Sequence, residues 1–205
     1  MRMLLEYVGL ARPMQLEPVH DTAGLARFVQ TRASFIAQTS LYGYLRTRAG
    51  MRYPELFDDD PFVASINIAK WHVWLDCMSD LAVYAGGLLA RAPGASATGV
   101  GALMQNLVAG ILEETGIPPD AGDEFAAHAR QVRERMAACD WQAVDDGDQA
   151  FSASPAALVR WAPVVDELKQ LDEGIVTNSI RFRWQEVRRD LRRCLDAPAV
   201  LGIAG

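Results

Sequence analysis

Between Pro61 and Arg91 the chain runs for some thirty residues with no interior proline, and both ends of the run are punctuated. Asp58-Asp59-Asp60-Pro61 supplies an N-cap aspartate and then a proline in the first helical position, where a missing N–H costs nothing. Arg91-Ala92-Pro93-Gly94 brings the run to a stop. A helix over about 61–91 is expected, placed at the centre of a helical bundle.

The same punctuation repeats along the chain. Asp21 precedes a periodic stretch that ends in Arg46, Arg48 and Gly50, with cations in the last turn and a glycine where the chain leaves, which predicts a helix over 22–49. Ser96 can cap a third helix ending at Gly116. A fourth starts with acids around Asp120 to Glu124 and closes near Ala138. Residues 140–153 are rich in loop-forming types and form the longest expected loop. Ser154-Pro155 restarts a helix, Pro163 interrupts it, and 164–196 fits one long helix bent near Gly174. Within that helix Val176, Ile180, Trp184, Val187, Leu191 and Cys194 recur at spacings of three and four, a core-facing stripe. No stretch alternates as a strand does. The expected fold is all-α: a bundle of about six helices, the long ones antiparallel, with no sheet. It is read as one helical domain over 1–205, with a subdivision into 1–139 and 154–205 as the alternative. The tail from Pro198 to Gly205 is taken as too short to be an element.

Half of the residues are hydrophobic and 22% are charged, enough apolar surface for a sizeable core. The net charge of -6 disfavours nucleic acid. Cys77, Cys139 and Cys194 are far apart and odd in number, which reads as buried thiols in a reducing, cytoplasmic setting. The N-terminal Met1 to Leu5 imitates the start of a signal peptide, but Glu6 and Arg12-Pro13 break it, and no export signal is expected. Residues 92–112 carry no charge, yet their proline, glycines and polar residues favour a buried helix over a membrane span.

The helix over 61–91 carries two groups of polar residues. Ser65, His72, Asp76, Ser79 and Asp80 fall together and are expected to be its wet face. His72 and Asp76, four apart, are weak candidates for an acid/base pair. Asn67 and Lys70 fall instead among Val63, Ile66, Trp74, Cys77 and Leu81, where a lysine must be paired, neutralised or stretched to the surface. On the preceding helix Arg32, Thr39 and Arg46 run beside Phe28, Phe35 and Tyr42. If the two anomalies meet, Arg32, Arg46 and Lys70 make a cationic floor walled by Trp71, Trp74, Tyr42 and Tyr44, a site for an anionic or apolar small molecule. The last long helix presents Arg181, Arg183, Arg188, Arg189, Arg192 and Arg193, a surface for an acidic partner or a phospholipid. Gly43, Gly86 and Gly87 are expected to mark helix crossings.

No nucleophile elbow, phosphate-binding glycine loop or dinucleotide fingerprint is present. Glu124 and His128 lack the spacing of a di-iron bundle, and His20-Asp21 is a lone dipeptide. No metal and no cofactor are expected, and the reading leans away from an enzyme. The segments FVQTRASFIAQTSLYGYLRTRAG, FVASINIAKWHVWLDCMSDLAVYAGG and IVTNSIRFRWQEVRRDLR resemble an uncharacterised family of proteobacterial helical proteins. Members of such families are sometimes labelled esterases, a label that implies a serine motif this chain lacks. The resemblance implies a bacterial, cytoplasmic origin. The expected function is that of a protein-interaction or assembly factor, binding a protein partner or a second copy and touching a membrane surface. The alternative is a small-molecule binder or enzyme with a site between the helices over 22–49 and 61–91.

Overall fold

A computed structural model describes residues 16–203. The reading of the N-terminal run as no export signal falls outside these residues. Among the described residues seven α-helices follow one another: α1 (Thr22–Ala49), α2 (Asp60–Ala90), α3 (Ala97–Thr115), α4 (Phe125–Ala138), α5 (Ala153–Trp161), α6 (Asp166–Cys194) and α7 (Ala197–Leu201). A 3₁₀ segment, Gly50–Asp58, joins α1 to α2. Among the described residues there is no strand, and the only extended pairing is an isolated parallel bridge from Val19 to Leu195. The all-α bundle is thus the fold of the chain.

The boundaries follow from caps. Asp21, Asp59 and Ser96 accept hydrogen bonds from Gly24, Phe62 and Gly99 N–H, starting α1, α2 and α3 where the side chains predict. Gly50 and Gly116 close α1 and α3 with positive φ, a conformation that a side chain would oppose. Two elements depart from expectation. The tail forms the short helix α7, because Asp196 caps it through Ala199 N–H and Pro198 sits in its first turn. The residues before α2 wind into 3₁₀ turns and bury none of their side chains.

α2 is the central rod. Every residue from Val73 to Gly87 except Asp76 is buried, enclosed by α1, α3, α4, α5 and the 139–152 loop. The buried side chains on both sides of that loop join one hydrophobic cluster from Val19 to Val200. α2 is also the one described helix long and apolar enough to cross a membrane, and the window that meets that test is 83% buried within the protein. Residues 92–112 instead belong largely to α3, which buries one face through Val100, Met104, Leu107, Val108 and Ile111.

The expected wet face of α2 holds only in part: Ser65 is exposed and Asp76 half-buried, whereas His72, Ser79 and Asp80 are fully buried. Where the helix is enclosed by its neighbours, its polar side chains mark polar partners on them. Asp80 accepts from Arg135 of α4 at 2.7 Å and from the N–H groups of Ala153 and Ser154 at 3.2 and 2.7 Å. It thereby caps α5, whose own N-cap Ser152 makes no side-chain cap. Ser79 accepts from the same Arg135, and Ser154 Oγ accepts from Trp184 Nε1 of α6. Burial pushes the Asp80 carboxyl up from its ordinary value, opposed by Arg135 and Ser154.

Gly86 lies against Met104 of α3, as a helix crossing predicts, but the tightest contacts of Gly86 and Gly87 are with a loop. The two glycines receive Trp141 and Val144 of the loop after α4, and a Cβ at either glycine would overlap those side chains. Gly43 lies under the Arg183 guanidinium of α6. The cysteines are unpaired; Cys77 is buried, while Cys139 and Cys194 are only half-buried.

Candidate functional site

α6 carries two opposite apolar stripes. Val176, Ile180, Trp184, Val187 and Leu191 face the core, as their spacing predicts. Leu171, Ile175 and Phe182 fall within about 40° of one another on the far side of the helix, and they are 75%, 75% and 71% exposed. Phe35 of α1, 55% exposed, shares a groove with Ile175 and Phe182. Between α1 and α6 runs a groove of about 1190 Å³, lined by Phe35, Ile175 and Phe182 and rimmed by Arg32, Arg183, Arg189 and Arg192 against Glu186. Exposed apolar side chains gathered in one concavity make this groove a candidate docking surface.

The arginines differ in how far they are committed. Arg32 stacks over Phe28 with its carbon 5.4 Å from the ring centre and reaches Asp190 at 3.4 Å, tying α1 to α6. Arg192 binds Asp146 at 2.8 Å and the Tyr84 hydroxyl at 3.0 Å. Arg189 meets only Glu186, one turn away, at 3.7 Å in an exposed pair worth little. Arg183 has no carboxylate partner among the described residues, and its Nε is buried without an acceptor. Arg188 turns away from the groove, donating to the Asp146 carbonyl and lying over the Tyr84 ring. Arg181 and Arg193 are exposed outside it.

The residues expected to build a small-molecule floor are dispersed. Lys70, Trp71 and Trp74 share a crevice of about 160 Å³ with Ser34 and Gln38. There Asp120 accepts from Trp71 Nε1 at 2.6 Å and sits 3.4 Å from Lys70 Nζ, so the lysine charge is already met. Although burial opposes it, the Trp71 N–H and Lys70 hold the Asp120 carboxyl below its ordinary value. Arg32 lines the α1–α6 groove instead, and Arg46 is exposed. Tyr42 is half-buried on the core, and burial raises its hydroxyl pKa with Tyr53 adding to the effect. Tyr44 donates to Asp172 at 3.0 Å beside Arg48; burial, then that bond, push its pKa up to about 12. Arg48 holds the Asp172 carboxyl below its usual range.

His72 and Asp76 do not pair directly, because His128 of α4 stands between them. His128 Nε2 is 3.1 Å from Asp76 Oδ2, and its Nδ1 is 2.7 Å from Nδ1 of His72. Only one proton fits between two ring nitrogens at that distance, so the two rings must share it. His72 also stacks on Trp161 at 3.6 Å, and its Nε2 is buried without a hydrogen-bond partner. Burial, then the neighbouring His128, lower the His72 pKa to about 4. A hollow of about 400 Å³ beside Asp76 and His128 has alanines for its floor and Arg160, Glu124 and Trp161 at its edge. His72 does not line it, and none of its lining residues is a serine, threonine or cysteine.

Sequence reasoning missed Ile175 and Phe182, although their spacing of seven, with the spacing of four between Leu171 and Ile175, is a readable signal of a second stripe. Nor does the sequence pair Asp190 with Arg32, which only the folded chain brings together. No protein-family model, curated protein or solved structure matches this chain.

Proposed function

We propose that this chain is a protein-interaction module whose working surface is the α1–α6 groove, and that the groove takes an acidic, apolar-studded segment of a protein. The observation that carries this reading is the exposed stripe of Leu171, Ile175 and Phe182, set opposite the buried stripe of the same helix and edged by arginines. An apolar stripe on the outer face of a helix gains nothing for the isolated fold. An amphipathic helix laid along the groove would cover it, with carboxylates meeting Arg183 and Arg189.

A groove suits a helix better than the plane of a bilayer does, so the lipid-facing role becomes an arm of the test. Titration with a designed acidic amphipathic helical peptide is expected to show saturable binding that weakens with salt and is lost in Phe182→Asp. Binding to anionic vesicles with no binding to the peptide would replace this reading with a membrane one. The alternative of a small ligand between α1 and α2 has less support, because its crevice is small and Lys70 is already paired with Asp120.

A further inference from the structure

We infer that the occupant of the groove is the acidic knob of a second copy of this chain, so that copies associate head to tail; the inference rests on the docking reading above. Eight large apolar side chains are exposed among the described residues, and six of them fall into two patches. Four are Phe35, Leu171, Ile175 and Phe182 on the groove face. The other two, Met51 at 98% and Phe57 at 42%, stand on the 3₁₀ segment before α2.

The two patches are opposite in charge. Residues 50–60 set Arg52 against Glu55, Asp58, Asp59 and Asp60. Arg52 and Glu55 satisfy each other at 2.9 Å, and Asp59 caps α2, while Asp58 and Asp60 have no cationic partner among the described residues. Of the groove's four arginines, Arg32 and Arg192 are met by Asp190 and Asp146, which leaves Arg183, without a carboxylate among the described residues, and Arg189, held only by the exposed Glu186. Each patch therefore supplies the apolar contact and the charge that the other lacks. The knob is also preorganised: Phe57 meets Tyr53 edge-on, ring centres 5.3 Å apart, which limits the ordering cost of docking. The N-terminal run is a poorer occupant by charge, since residues 1–15 carry Arg2 and Arg12 against Glu6.

Knob and groove share no residue, so the contact is heterologous, and each copy keeps a free knob or groove for the next. That property sets the test. Met51→Lys with Asp58→Lys blunts the knob, and Phe182→Ser with Arg189→Ser blunts the groove; all four side chains are exposed, and thermal melts establish that both variants fold. Sedimentation equilibrium at low salt is expected to show the wild type associating beyond a dimer and each variant alone associating about tenfold or more weakly. The equimolar mixture of the two variants is expected to form a dimer and stop there, because one intact knob meets one intact groove. A monomeric wild type, undiminished association in either variant alone, or a mixture that stays monomeric overturns the inference. If the wild type is monomeric yet still binds the acidic peptide through Phe182, the second copy is excluded while the docking reading stands.

Discussion

Two faces of this molecule treat polarity in opposite ways. Where α2 meets α4 and α5, charged and polar groups lie inside and, His72 Nε2 apart, are matched: Asp80 with Arg135 and two backbone N–H groups, His72 Nδ1 with His128, Ser154 with Trp184. Where α1 meets α6, apolar groups lie outside and are not covered, and Arg183 stands without a carboxylate among the described residues. The first arrangement is needed for the chain to fold, since an unmatched polar group there costs the full penalty of burial. The second contributes little to folding and gains value only when something docks. Stability and binding should therefore respond to different substitutions.

The largest effect is expected at the buried knot. Asp80→Ala strips α5 of its cap and leaves Arg135 without its carboxylate, and should cost about 3–5 kcal/mol in urea unfolding. A loss below about 1 kcal/mol would mean that α5 is held by other means. Gly86→Ala drives a methyl into Trp141, and its cost should lie near the upper end of the roughly 1–3 kcal/mol typical of overpacking; a neutral or stabilising result would show that the 139–152 loop yields freely.

Acid acts on the same region through His72. In the unfolded chain this histidine takes up its proton near the ordinary value of 6.5, whereas in the folded protein it resists down to about 4. The unfolded state binds the extra proton in that window, so stability falls as pH drops from 6.5 to 4 and is unaffected by this group above it. Unfolding at pH 5 should be easier than at pH 7 by about 2 kcal/mol, and His72→Phe should remove most of that slope. A slope unchanged by the substitution would place the acid sensitivity elsewhere.

The smallest effect on stability is expected on the other face. Phe182→Asp should change it by less than about 0.5 kcal/mol, while abolishing peptide binding. A large destabilisation would mean that Phe182 serves the fold, and the contrast between the two faces would collapse.

How much of this was legible in the residues depends on how local the cause is. Helix ends set by Asp21, Asp59, Ser96, Gly50 and Gly116 act within a few residues of themselves, and they fell where expected. The inner stripe of α6 was likewise readable from its spacing. The surroundings of α2 were not, because a helix buried on every side offers no polar face to locate: His72, Ser79 and Asp80 look solvated in sequence, and their partners His128 and Arg135 lie more than fifty residues away. Convergence fails for the same reason. Arg32, Arg46 and Lys70 are close in pattern, but Asp190 and Asp120, distant in the chain, draw Arg32 and Lys70 to different places, and Arg46 points to solvent.

The most direct test of the docking account is to map where an acidic amphipathic peptide lands, by tracking backbone amide shifts of the labelled protein during titration. The account predicts saturable shifts at Phe35, Ile175, Phe182 and Arg189, with those around His128 and Trp161 unmoved. Shifts gathered around His128 and Trp161, with the α1–α6 groove unmoved, would contradict it.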